Sequence, residues 1–300
     1  MSKQNIPLDG CVIDSMSVVI VHYKRESDVL TLVDRLVNEI GVTESNIVLC
    51  DNGSCDEFDK NVRRKFPRMT LLQLENVGFG AAMNVGVAAL SGSSRILLLT
   101  HEVQIDAECI RTLSAELDNE STGIVGPRLM SLGEGNSIWS LGGRTGRLLK
   151  KPANIERGER FSGITGNPAR RVDWLDGSVV MVDRRVFEEV GGYSVPYFLY
   201  FEDVDFGWKV RGIAGKDVVC RIDAVAHQAP GGNLDQLYAV RNLLWLLRRQ
   251  GFRFAYSAYV FETVLRILFG ALLKPRGAKR RIALRIAGLA QGLRYPAEFK

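Results

Sequence analysis

The chain has 300 residues, 46% of them hydrophobic and 24% charged, which is enough apolar content to fill a core as one large domain or two small ones. Its net charge of +5 is uneven: residues 241–300 hold thirteen Lys and Arg against two Glu, for +11, whereas the first 240 residues carry −6. Five scattered cysteines (Cys11, Cys50, Cys55, Cys109, Cys220) contain no C-x-x-C pair, which argues against a disulfide framework or a zinc knuckle and fits a reducing cytoplasm.

Met1 to Ile13 has no long apolar stretch and does not read as a signal peptide. Ser17 to Val21 is a short β-branched run, expected as a buried strand. Asp28 to Ile40 shows helical spacing of Val29, Leu32, Val33, Leu36, Val37 and Ile40 and stops at Gly41. Asn46 to Cys50 is a second strand ending in the turn Asp51-Asn52-Gly53-Ser54. Met69 to Leu74 is a third strand, Gly80 to Leu90 a helix and Arg95 to Leu99 a fourth strand. Strands alternating with helices at this pitch predict β-α-β units, and hence an α/β fold with a mostly parallel sheet flanked by helices. Such sheets bind ligands beyond the carboxyl ends of their strands, where Asp51 and Thr100-His101-Glu102 fall. Residues 131–171, rich in Gly, Arg and Ser, read as irregular or short-stranded cover over a site. Asp235 to Leu247 is an expected amphipathic helix.

The densest chemistry lies between Trp174 and Gly231. Glu202, Asp203 and Asp205 follow the aromatic run Tyr197-Phe198-Leu199-Tyr200-Phe201. Carboxylates are costly to bury unpaired, so this block reads as a site in which one group accepts a proton. Its plain alternative is a helix start, with acidic groups at the positive end of a helix through Val210. Asp51 alone reads equally as a turn former, and an isolated His227 as a structural residue. Glu102 at a strand end offers hard oxygen for a divalent cation. Gly78-Phe79-Gly80 fails as a dinucleotide fingerprint, because the third glycine position is Met83 and the turn follows the third strand.

These features also occur together in one known family. From Val18 to about Asn242 the chain resembles the family 2 inverting glycosyltransferases of GT-A fold, and within them the rhamnosyltransferase-like branch. The likeness rests on Val18 to Val21, Asp51 to Ser54, Asn76 to Gly80 with Asn84 and Gly86, Leu97 to Glu102, and Leu175 to Ser178. It continues through Gly191-Gly192-Tyr193, Tyr200 to Asp205, His227 and Arg241-Asn242. The resemblance implies a GT-A transferase domain over residues 1–240; the charge and apolar spacing of residues 241–300 read as a basic helical extension. It implies Asp203 as the general base, supported by Glu202 and Asp205. It puts Asp51 on the nucleotide base, with Asn76, Gly78, Gly80, Asn84, Thr100, Asp176 and Gly177 around the donor. Glu102 and His227 would meet a divalent cation, Mg²⁺ or Mn²⁺. The chain departs from the family where the metal motif, ordinarily ending in Asp, reads Thr100-His101-Glu102.

The implied reaction moves a sugar, rhamnose among the candidates, from a nucleoside-diphosphate sugar to an acceptor hydroxyl. The acceptor would be a lipid-linked glycan or another cell-surface or natural-product hydroxyl. A non-catalytic nucleotide-binding relative remains the second reading because of the altered metal motif. Phe252 to Leu273 is apolar but interrupted by Arg253, Glu262 and Arg266, which speaks against a bilayer span. Ile282, Ile286, Leu289 and Leu293 repeat at helical spacing beside Lys279, Arg280, Arg281 and Arg285. That pattern suits either a helix on an anionic membrane at the inner face of the cell membrane or one packed on the body. Nucleic acid is not expected as a partner, since no recognised module accompanies the charge.

Overall fold

The computed structural model describes residues 13, 15–54, 56–229, 235–273 and 278–299; the reading of residues 1–12 as no signal peptide, and Cys11 and Cys55, lie outside them. In chain order the elements are β1 (Ser17–His22), α1 (Glu26–Asp34), β2 (Ile47–Asp51), α2 (Asp56–Lys65), β3 (Thr70–Gln73), α3 (Phe79–Ala88) and β4 (Arg95–Thr100). Next come β5 (Val103–Gln104), α4 (Ala107–Glu116), β6 (Thr122–Ser131), β7 (Ile138–Ser140), β8 (Gly143–Thr145) and β9 (Pro152–Asn154). The remainder is β10 (Ala169–Val172), β11 (Val179–Asp183), α5 (Arg184–Glu189), α6 (Glu202–Gly212), β12 (Asp217–Gln228), α7 (Gln236–Arg249), α8 (Arg253–Leu273) and α9 (Ala278–Gly292).

The main sheet runs β10-β12-β6-β11-β4-β1-β2-β3. Its N-terminal half, β3-β2-β1-β4, is parallel as the alternation of strands and helices predicts. β11 then enters antiparallel to both β4 and β6, so the sheet is mixed. The segment 131–171, expected as irregular or short-stranded, holds the short strands β7, β8 and β9 and leads into β10, which joins the main sheet beside β12.

The alternation of side chains along the strands fills both faces. Val18, Ile20, Leu49, Leu97 and Leu99 meet Leu32, Phe58 and Ile110 of α1, α2 and α4 on one face. Val19, Val21, Val48, Ile96 and Leu98 meet Met83, Phe187 and Phe206 of α3, α5 and α6 on the other. The α3 helix reaches the sheet only because Gly86 is bare: a β-carbon there would press on Val19 and Cys50. A third core joins Trp174, Tyr197 and Val204 to Leu243, Trp245, Leu246 and Leu247 of α7. Residue 240 falls inside α7, whose middle is buried from Ala239 to Leu247.

The C-terminal helices divide the two roles read for the tail in a way the sequence does not show. α9 is packed on the body: β-carbons on Gly288 and Gly292 would strike Leu237 and Leu244 of α7, and Trp245 Nε1 donates to the Arg294 carbonyl at 2.8 Å. Ile282 lies against Gly270. The longer exposed apolar row belongs to α8, where Phe254, Phe261, Val264, Leu268, Phe269 and Leu272 stand in solvent, Leu272 being 75% exposed; Ile286 of α9 and Leu293 just after it are also about half exposed. Two of the interrupting charges pair with each other: Glu262 meets Lys151 of the body and Arg266 one turn on.

Candidate functional site

β1, β2 and β4 run parallel and end together, and the residues just beyond their carboxyl ends enclose a cleft of about 470 Å³. Tyr23 and Arg25 come from the β1–α1 turn, Asn52 from the end of β2, Asn76 and Gly78 from the approach to α3, and Thr100, His101 and Glu102 from the end of β4. Asn52 organises this rim. Its Oδ1 accepts from Val77 N at 3.0 Å, and its Nδ2 donates to Asn76 Oδ1 at 3.2 Å. Gly78 has φ +88°, and a β-carbon there would run into the Phe198 carbonyl, so only glycine fits. Thr100 Oγ1 is buried without a partner among the described residues, and Thr100 faces this cleft.

The carboxylate block lies beside the cleft. The Phe79 ring, part of the cleft wall, and the Asp203 β-carbon both abut Gly177, 3.2 and 3.6 Å from where a β-carbon there would sit. Asp203 accepts from Val204 N at 2.8 Å, as a group in the first turn of α6 does. The helix-start reading of the block is therefore correct as structure, and it coexists with a site. Asp176 stands close by, held by Trp139 Nε1 at 3.0 Å and by Ser178 N at 3.0 Å. Burial, and then the charge of Asp176, raise the Asp203 carboxyl to about 7. Burial, and then the charge of Asp203, raise Glu202 to about 8. Glu202 is 4% exposed, and its Oε2 has no hydrogen-bond partner among the described residues. Tyr193, packed on Phe206 with ring centroids 4.6 Å apart, has its β-carbon near Glu202 across Gly80.

The approach to α6 is strained. Phe198, Tyr200 and Phe201 all have positive φ, at 66°, 71° and 71°. Bulky residues rarely adopt this region, and such strain gathers at functional sites. The segment is fixed by Asn242 of α7, whose Nδ2 lies 2.9, 2.7 and 2.9 Å from the carbonyl oxygens of Tyr197, Leu199 and Tyr200. Arg241 Nη2 adds a bond to the Tyr197 carbonyl at 2.7 Å. From the cleft side, Phe79 N donates to the Phe198 carbonyl at 2.8 Å.

Several residues singled out from sequence have other duties. Asp205 is fully buried and accepts from Ser194 Oγ at 2.6 Å and Arg249 Nη1 at 3.0 Å, tying α6 to α7. Asn84 engages the Tyr193 backbone with both ends of its amide, donating and accepting at 2.8 Å, so it fastens α3 to the Gly-Gly-Tyr turn. Gly80 serves close packing on Tyr193. Asp51 is 2% exposed and accepts from Ser54 N at 2.9 Å, while its neighbour Asn52 reaches the cleft.

The pairing of Glu102 with His227 is replaced by one with Gln228, whose Nε2 donates to Glu102 Oε1 at 2.7 Å. Successive strand residues face opposite ways, so when Gln228 turns to Glu102 the His227 side chain turns from it. The other oxygen, Glu102 Oε2, receives Arg25 Nη1 at 2.7 Å. Among the described residues no three of His, Cys, Asp or Glu gather into a metal cage. A hard cation carried in with a diphosphate needs only one or two protein carboxylates, and Glu102, 20% exposed at the cleft, fits that role.

Three comparisons bear on this site. A family model described as glycosyl transferase family 2 matches residues 17–189. The low-salt glycan biosynthesis hexosyltransferase Agl10 of Haloferax volcanii is 26% identical over 233 residues, which are 73% of this chain and 69% of that protein. The N-acetylglucosaminyl-diphospho-decaprenol L-rhamnosyltransferase of Mycobacterium tuberculosis is 27% identical over 187 residues, 54% of this chain and 59% of its own length. Among solved structures, GalNAc-T7 with UDP, GalNAc and Mn²⁺ superposes with TM-score 0.59 at 13% identity over 78% of this chain, which spans about half (48%) of GalNAc-T7. The Pyrobaculum calidifontis mannosyltransferase PcManGT with GDP-Man and Mn²⁺ gives TM-score 0.51 at 13% identity, covering 93% of this chain and 87% of its own. The fold is GT-A, with helices added at the C-terminus.

The raised Glu202 carboxyl has a consequence for stability. The folded state keeps this proton to higher pH than the unfolded chain does, so stability falls as pH rises from the usual carboxylate range through about 8. Glu202→Gln should therefore raise Tm at pH 9 by on the order of a few degrees and change it little at pH 5. Thermal denaturation at the two pH values checks this; an equal change at both would mean that Glu202 is not held protonated.

Proposed function

The chain belongs to glycosyl transferase family 2, and from that premise we propose that it transfers a hexose from a nucleoside-diphosphate sugar to an acceptor hydroxyl with inversion at the anomeric carbon. The observation that carries this reading is the placement of Asp203. A carboxyl raised to about 7 stands beside Phe79, across Gly177, next to a cleft lined by hydrogen-bonding groups at the carboxyl ends of parallel strands. A base poised near neutrality can accept a hydroxyl proton and still be ionised often enough to act.

In the proposed reaction the acceptor oxygen attacks the anomeric carbon from the face opposite the diphosphate. The new C–O bond forms as the bond to the diphosphate oxygen breaks, and its electron pair leaves with the diphosphate. Asp203 takes the proton of the attacking hydroxyl. The charge of Asp176 beside it keeps its proton affinity high, while protonated Glu202 offers a hydrogen bond without adding a second charge. Asn52, Asn76 and Thr100 orient the donor. Glu102 would hold a divalent cation arriving with the diphosphate, which when bound supplies neutralisation of the charge on the leaving group.

A lipid-linked acceptor is the reading that best fits the surface. The M. tuberculosis relative is named for a diphospho-decaprenol acceptor and L-rhamnose, and that sugar is the first to test here. The α8 row of Phe254, Phe261, Leu268 and Leu272 presents an apolar stripe beside exposed Lys279 and Arg280. We place this face on the anionic cytoplasmic surface of a membrane, lying along it while Glu262 stays paired with Lys151.

Turnover of a panel of sugar nucleotides tests the chemistry. Asp203→Asn should keep the fold and nucleotide binding and lose roughly 10²-fold or more in kcat. In the unsubstituted enzyme the rate should climb with pH through about 7, the range in which Asp203 loses its proton. Near-normal turnover by folded Asp203→Asn would remove Asp203 as the base.

For the surface, co-sedimentation with phosphatidylglycerol vesicles should be strong at low salt and weaken as salt is added. The Phe261→Ser, Leu268→Ser double variant should bind less. Equal binding by the variant would show that α8 does not face the lipid.

A further inference from the structure

Arg25 stands where the two ends of the donor site meet. It borders the 470 Å³ cleft and also the larger open hollow of about 850 Å³ formed with Lys24, Glu26, Ser27, Asp28, Gly53 and Ser54. The hollow adjoins the end of β2, where the Asp51 turn lies; the cleft leads to Phe79 and, past Gly177, to Asp203. A nucleoside-diphosphate sugar laid along this path puts its two phosphates between nucleoside and sugar, at Arg25.

Resting on the donor reading, we infer that Arg25 binds the diphosphate of the donor, and that it does so by giving up Glu102. Arg25 is the only Lys or Arg lining the cleft among the described residues. A dianionic or trianionic group entering the cleft therefore finds one fixed cation. The guanidinium fork matches phosphate geometry, with paired donors that a lysine lacks.

The resting partners of Arg25 are two carboxylates: Nε pairs with Asp28 at 2.7 Å and Nη1 with Glu102 at 2.7 Å. The Arg25 side chain is 42% exposed, and ion pairs this open contribute little, so the guanidinium can exchange one anion for another at small cost. Glu102 does not need Arg25 to stay in place, because Gln228, 2% exposed, holds its other oxygen at 2.7 Å. The exchange thus leaves Glu102 oriented by Gln228 and open to a cation that accompanies the diphosphate. In the absence of donor the same pair blocks that carboxylate, so cation and diphosphate should bind together.

The test is calorimetry with UDP, GDP and dTDP and with the corresponding nucleosides, on the full chain and on Arg25→Gln and Arg25→Lys. Arg25→Gln should bind the best of the three diphosphates roughly 10- to 100-fold more weakly, with the nucleoside bound equally by both. Arg25→Lys should fall between. Mn²⁺ alone, followed by the electron paramagnetic resonance of the free ion, should bind more tightly to Arg25→Gln than to the original chain, and adding Glu102→Gln should cancel that gain. Unchanged diphosphate affinity in Arg25→Gln, or no gain in Mn²⁺ binding, overturns the inference while leaving the donor reading intact. If the unsubstituted chain binds none of the diphosphates, the donor reading falls and this inference falls with it.

Discussion

The structure of the site depends on one strained segment held from two sides. Phe198, Tyr200 and Phe201 occupy a backbone region that costs on the order of 1–3 kcal/mol for each such residue. A chain adopts it only where its surroundings leave no better choice. Here two N–H bonds of one buried amide, Asn242, are shared among three carbonyls, and Arg241 adds a charged donor. On the other side Gly78 leaves room for the Phe198 carbonyl, which Phe79 N then engages. The segment ends at Glu202 and Asp203, so its shape sets where the two raised carboxyls stand.

This arrangement makes one unit of parts that lie far apart in sequence. The donor rim at Asn76 to Phe79 and the base at Asp203 share a direct backbone hydrogen bond through Phe198. The helix that fixes the segment, α7, begins beyond residue 189, where the family match stops. Asp205 and Arg249 repeat the link one turn along α6 as a buried ion pair. Removing one partner of such a pair strands a buried charge, so it enforces the docking of α7 on α6 more than it adds net stability. The C-terminal helices are therefore part of how the proposed base is placed, in addition to the lipid contact proposed for α8.

Much of this was legible in the residues. β-branched runs gave β1, β2 and β4 within a residue or so, and helical spacing gave α1, α3 and α7, because both periods are written locally. The Glu202–Asp203 block stood out because carboxylates are costly to bury unpaired beside an aromatic run. What was missed depends on partners distant in the chain. Asp205 looks like Asp203 until Arg249, 44 residues on, is seen to neutralise it. Asn84 looks like a ligand until the Tyr193 backbone takes both ends of its amide. His227 drew notice as a rare residue, yet strand alternation delivers Gln228 to Glu102. Arg25 carried no motif at all. The left-handed aromatics were invisible because sequence marks that conformation only through Gly or Asn. The sheet was read as mostly parallel because β11 carries the same apolar signature in either direction.

The central claim is that Asn242 holds the Phe198–Phe201 segment in the shape that aims Asp203. Single-turnover rates of Asn242→Ala across pH, measured beside nucleotide affinity and Tm, test it most directly. The account predicts a loss on the order of 10²-fold in the chemical step, as a displacement of about 1 Å can cause. Nucleotide affinity should hold, and the rise of rate with pH should move away from about 7 as the surroundings of Asp203 change. A lower Tm with an unchanged rate and pH profile would contradict the claim, leaving Asn242 a residue of stability alone.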